Sequence, residues 1–186
     1  MRTITYSTIP VPTAIKTAGA TATSVQTFTG ASLNGAIGQG VMNPPRSVSV
    51  TTSTSSGSYI AGSTVVITGL DQTGLAQVET LTLTQTGGGE TLVGVKQFSQ
   101  VTKIVVAAQT NTSGTVAVGV QDVRFHPQSP PIGLIVNGTG NLKLGFADGS
   151  TDILLGVVAG MFLPISPVVI YGDANTTATK ITAVLP

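Results

Sequence analysis

The chain has 186 residues, enough for one ordinary domain or two small ones, with 8% charged residues and a net charge of +1. A typical soluble domain carries roughly 25% charge, so little repulsion separates copies of this chain, and association is favoured. No cysteine is present, which excludes disulfides and thiolate chemistry. Every apolar run is cut short by Gly, Thr, Ser, Asn or Pro, which excludes a spanning helix of about 20 apolar residues.

From the N-terminus, MRTITYSTIPVPTAIKTAGA lacks the apolar core of a signal peptide. Residues 1–43 are rich in Gly, Ala, Ser and Thr with scattered apolar positions, a composition that predicts a flexible N-terminal arm. The alternative is that part of it, SVQTFTG, joins the following domain as a strand. From about Pro44 to residue 124 strand signals dominate, and no sustained 3.6-residue period is visible. STVVITG (63–69) and AQVETLTLTQT (76–86) flank Leu70–Leu75, a hairpin signal. Leu81 and Leu83 share one face of the second run and Thr80, Thr82 and Thr84 the other, as in a half-buried strand. VTKIVVAAQ (101–109) and GTVAVGV (114–120) complete a β-sandwich of short antiparallel strands over residues 44–124.

Pro127, Pro130 and Pro131 interrupt the pattern and predict a semi-rigid linker over 125–131. A second, small β module follows over 132–186. In NLKLGFADG, Leu142, Leu144 and Phe146 point one way and Lys143 and Gly145 the other. Asp148-Gly149 between two apolar runs is a strong hairpin signal. The fold class expected is therefore all-β, a sandwich followed by a second small β module.

Reactive chemistry is sparse. The sole histidine, His126, sits in the proline-rich connection, and no G-x-S-x-G elbow accompanies it. Asp148 and Asp152 lie across a tight turn and could share a cation; the simpler reading is an Asp-Gly turn plus an exposed strand charge. Thr86-Gly87-Gly88-Gly89-Glu90-Thr91 lacks the Gly-Lys-Ser/Thr ending of a phosphate loop and reads as a hairpin tip. The eight Lys and Arg are scattered, without the clustered basic patch that nucleic-acid binding needs. Aromatics at 4%, with no Trp, speak against outer-membrane girdles and against carbohydrate-stacking platforms. The sequence thus predicts no enzyme, no catalytic residues, no metal, no cofactor, and neither nucleic acid nor membrane as partner.

Two stretches carry a resemblance. Val48–Val120, with V-x-I-T-G-x-D-x-x-G (Val66 to Gly74 within it), Glu79 to Leu83, Lys96 to Ala107 and Gly114 to Gly119, resembles a β domain common in virion proteins of tailed bacteriophages. Ile132–Leu185 is similar to the small β module of phage head-spike base proteins, the family that includes the spike base of gene transfer agents. The shared features are Gly138–Leu142, the Ala147–Ser150 turn, Gly156–Ile165 and the tail Thr177–Leu185. The chain departs from that pattern at Ser166-Pro167, where a basic residue is usual.

The resemblance implies a capsid decoration, cement or head-spike base protein on the virion surface, assembled in the host cytoplasm. Its implied partners are the major capsid protein, copies of itself in a symmetric oligomer, and a fibre or spike protein seated on it. The arm and the first sandwich are expected to face the shell. A tail or baseplate component and a secreted carbohydrate-binding or adhesive module are the other readings.

Overall fold

The computed structural model describes residues 2–37, 40–53, 58–125 and 130–186. The chain forms two compact units, named here by their place along the sequence: the outer unit, Met1–Pro10 with Gln121–Pro186, and the inner unit, Val11–Val120. Strand β1 (Arg2–Ser7) opens the outer unit. The inner unit holds β2 (Val11–Ala20), β3 (Gln26–Thr29), β4 (Val41–Thr52), β5 (Thr64–Leu70), β6 (Ala76–Thr82), β7 (Thr91–Val106) and β8 (Thr115–Val120). The outer unit resumes with β9 (Val123–Arg124), β10 (Gly133–Val136), β11 (Gly140–Gly145) and β12 (Thr151–Val157). It closes with β13 (Phe162–Leu163), β14 (Val169–Ile170) and β15 (Lys180–Leu185). The fold is all-β and sandwich-like, and a single 3-10 turn at Gly30–Ser32 is the only helical element among the described residues.

The inner unit is one sheet in the order β2-β8-β4-β7-β5-β6, with β3 added on β7. β7 is long enough to serve two neighbours along one flank, β4 over residues 91–100 and β3 over 103–106. Val48, Val50, Val65, Ile67, Phe98, Ile104 and Val118 gather from these strands, with Leu83 just after β6, into one core. Each fully buried aliphatic or aromatic side chain contributes about 1.5–3 kcal/mol, which is what holds a charge-poor sheet folded over itself. The expected 63–69/76–86 hairpin is present as β5–β6, paired from Thr64↔Thr82 to Leu70↔Ala76. Asp71 accepts from Thr73 N, Thr73 Oγ1 and Leu75 N at 2.7–3.0 Å, closing its turn. The Thr73 hydroxyl leads in holding the Asp71 carboxyl below its ordinary range.

Buried polar groups pin the loops of this unit. Tyr59 is buried, and its hydroxyl donates to Thr115 O at 2.8 Å and accepts from Ser53 N and Thr115 N, each at 2.9 Å. Its ring lies so close to Gly88 (φ +67) that a Cβ there would sit 2.3 Å from it. The Gly-rich tip is therefore a packed loop, and Glu90 folds back to accept from Thr84 N (3.1 Å) and Thr84 Oγ1 (2.7 Å).

The outer unit is two four-stranded sheets, β1-β15-β10-β13 and β12-β11-β14-β9, sharing a core of Leu134, Val136, Leu142, Leu144, Ile170 and Ile181. Tyr6 of β1 joins that core edge-on to Phe125, ring centroids 5.4 Å apart. β11 and β12 form the expected hairpin, with Gly149 at φ +84, a conformation open to glycine. Leu142 and Leu144 are buried as the alternation predicts.

The boundaries differ from those expected. Residues 1–43 are no free arm: β1 pairs with β15, β2 with β8, and β3, the SVQTFTG strand, with β7. Their Thr, Ile and Val positions supply strand propensity, and the partners that recruit them lie far along the chain. Gln121–Arg124, expected to end the sandwich, belongs to the outer unit because β9 pairs with β14. Phe125 and Pro131, at the two ends of the expected linker, are both buried, and His126 and Pro127 lie outside the described residues.

Candidate functional site

The polar positions singled out from sequence are occupied with local structure. Asp148 accepts from Ser150 Oγ at 2.6 Å and Ser150 N at 2.9 Å, and the Ser150 hydroxyl leads in holding its carboxyl below the ordinary value. Asp152 turns instead to the N–H of its neighbour Ile153 at 2.8 Å. The two carboxylates thus serve separate backbone groups, and among the described residues no cluster of three His, Cys, Asp or Glu could hold a metal. His126 lies outside the described residues. No helix among the described residues is long and apolar enough to cross a membrane.

What stands out is uncovered apolar surface on the outer unit. Among the described residues β12 is the terminal strand of its sheet, paired on one side only, with β11. The backbone groups of Asn141, Lys143 and Gly145 turn to the other side, toward β14 and the segment after it, as in Tyr171 N to Lys143 O at 3.0 Å and Val168 N to Gly145 O at 2.8 Å. Antiparallel pairing alternates between flanks, so β11 serves β12 through its even residues, which meet Asp152 and Leu154. The odd residues of β12, Thr151, Ile153 and Leu155, therefore turn their N–H and C=O groups to the open edge.

The side chains follow the same alternation. Leu154 packs on the core, whereas Ile153 and Leu155 face outward, Leu155 with 76% of its surface exposed. The connection to β13 continues the stripe with Val158 and Met161, and Phe162 on β13 is 54% exposed. β13 also ends its sheet. Five large apolar side chains thus lie exposed between residues 153 and 162, and Asp152 beside them is the nearest ionised group in that stretch of chain.

Behind the stripe, on the same outward face, Lys143 stands opposite Ile153 in register. Its ammonium lies 4.8 Å from the centre of the Tyr171 ring and 2.7 Å from Asp173 Oδ2. The hydrogen bond to Asp173 raises the Lys143 pKa. Burial works to raise that of Asp173, but the Lys143 hydrogen bond and the Asn175 N–H outweigh it and hold the carboxyl below its ordinary value. The charges on this face are thus already neutralised by one another.

The sequence marks 150–157 and 161–165 as apolar runs but gives no sign of which face stays uncovered. That depends on β12 and β13 ending their sheets. The Lys143–Asp173 pair joins residues 30 apart in the chain and carries no local signal. Neither protein-family models, nor curated proteins, nor solved structures show a match to this chain.

Proposed function

We propose that this chain is a structural virion protein on the outside of a tailed-phage head. It binds the major capsid protein as a cement or decoration subunit, or as the base of a vertex spike or fibre, and performs no catalysis. The observation that carries this reading is the uncharged apolar stripe Ile153–Phe162 on two sheet edges of the outer unit. Patches of that kind mark surfaces that other molecules cover. The resemblance of Val48–Val120 and Ile132–Leu185 to virion β modules supports the identity of the assembly.

The physics of such a role is mass action. A subunit that binds an assembled lattice but not its separated components shifts the equilibrium toward the shell. Repetition over many sites adds avidity to contacts that are individually weak. Low net charge suits this, since neighbouring copies repel one another little.

The test is co-sedimentation of purified chain with tail-less heads from which it is absent. Saturable binding that Phe162→Asp weakens is the expected result. Failure to bind heads at any concentration overturns the reading, and binding to isolated tails instead moves the protein to the tail.

A further inference from the structure

We propose that β12 pairs with β12 of a second copy of this chain, antiparallel across a twofold axis through Ile153, continuing the four-stranded sheet into an eight-stranded one. The inference deepens the assembly role proposed above by naming the strand, the partner and the register. It begins from the open edge. Among the described residues Thr151, Ile153 and Leu155 present backbone donors and acceptors to no strand of their own unit, and such a row is a ready template for strand addition. An axis through Ile153 sets Thr151 opposite Leu155 of the second copy and the two Ile153 residues opposite each other. All three positions then exchange backbone hydrogen bonds in both directions.

Two observations select a second copy as the occupant. The first is self-complementarity: the contact is isologous, and the outward positions that meet across it are Thr, Ile and Leu, with no charge to be desolvated. Asp152 falls opposite Leu154 of the second copy, so the two carboxylates do not face each other. The Lys143 ammonium behind the edge is already paired with Asp173. The second is area. Ile153 and Leu155 on the edge itself expose roughly 200 Å² of apolar surface, and the three exposed side chains that follow them in the chain bring the total to roughly 450 Å², against the ~800 Å² that each partner contributes to a standard interface.

The edge also carries a guard. The Ile153 N–H, the donor nearest the proposed axis, is held by the carboxylate of the adjacent Asp152 at 2.8 Å. This is a cap from the strand's own exposed side chain, open to displacement by a backbone acceptor on an incoming strand. Pairing exchanges it for the Ile153 carbonyl of the second copy. Asp152 therefore restrains association, and removing it strengthens the pair.

Sedimentation velocity of the full chain over a wide dilution series tests this. A reversible dimer is expected. Leu155→Asp, at a side chain already mostly in solvent, weakens it by about tenfold or more, and Asp152→Ala tightens it by about threefold or more. Leu75→Asp, on the exposed turn of the inner unit, leaves it unchanged, and thermal unfolding of all three variants shows that the fold is kept. A monomer at every concentration overturns the proposal, as does an oligomer indifferent to Leu155→Asp or one that Asp152→Ala weakens. A monomer that still binds heads removes the self-pairing and leaves the proposed function standing. A dimer that ignores heads does the reverse.

Discussion

The two units guard their sheet edges differently. In the inner unit, β6 ends the sheet, and its even residues face outward, since Asp71 N to Leu75 O closes the hairpin through odd pairs. The outward carbonyl of Val78 is taken by Lys96 Nζ, reaching from β7 at 2.6 Å. Glu79, on the opposite parity and buried, accepts from Val95 N (2.6 Å) and Lys96 N (3.1 Å). Lysine on an edge is a standard defence against strand addition, and here it is anchored in a neighbouring strand. In the outer unit the β12 edge carries Asp152, bound to the N–H of its own neighbour Ile153.

The comparison teaches where contacts can form. Both units expose apolar side chains, Val78, Val93 and Val95 in one and Ile153, Leu155 and Phe162 in the other. In the inner unit they stand beside a lysine that already occupies the edge. In the outer unit Ile153 and Leu155 stand on an edge that no strand among the described residues covers, capped at Ile153 N by Asp152. Exposure alone does not distinguish the two surfaces; the state of the backbone edge does.

The largest effect that would sharpen the contrast is removal of residues 1–8. The outer unit then loses β1 and the buried Tyr6 ring, a loss of about 3–5 kcal/mol for the aromatic alone. Hydrogen exchange should show β10, β11 and β15 deprotected while the inner strands stay protected. Equal loss in both units would deny that they are separate compact bodies. Next in size is Tyr59→Phe, which removes the hydroxyl shared by Ser53 N, Thr115 N and Thr115 O in the inner unit and leaves them only the Ser53 N to Thr115 O and Thr115 N to Ser53 Oγ bonds, at a cost of about 1–2 kcal/mol. Denaturant melts should show it as a lower midpoint with the outer unit unaffected.

Lys96→Ala breaks the contrast from the other side, since it opens the β6 edge. It should create concentration-dependent association, visible by light scattering, at a stability cost under about 1 kcal/mol. The smallest effect belongs to Lys143 and Asp173, a pair worth less than about 1 kcal/mol. Asp173 has a lowered carboxyl pKa, so its contribution is complete above the unfolded value near 3.8 and lost as pH falls through the folded one. Lys143 has a raised pKa, so its contribution is complete below the unfolded value near 10.5 and lost as pH rises through the folded one. Replacing both by Asn and Met should remove a stability increment that is flat between those limits, measured by melts across pH.

Local chemistry explains which features were legible in the sequence. The hairpins at Asp71–Leu75 and Asp148-Gly149 were readable because turn residues and period-2 alternation lie side by side. The half-buried alternation around Leu81 and Leu83, and around Leu142 and Leu144, follows from the pleat itself. Of the first 43 residues only SVQTFTG reads as a possible strand, and it is β3; the rest are not readable as strands, because Thr/Ala/Gly-rich composition fits an arm and an edge strand equally well. Only pairing decides between them, and Arg2 finds its partner at Leu185. The apolar stripe was hidden for a related reason: Ile153 and Leu155 look like core until the strand order leaves β12 at the end of its sheet.

Amide hydrogen exchange over residues 151–162, compared between dilute chain and chain bound in an assembled particle, tests the central claim most directly. We expect new protection concentrated in β12 and the connection to β13, with Ile153 and Leu155 slowed most and the Val78 edge unchanged. Protection appearing elsewhere, with β12 exchanging as fast in the particle as alone, would contradict the claim that this edge is what assembly covers.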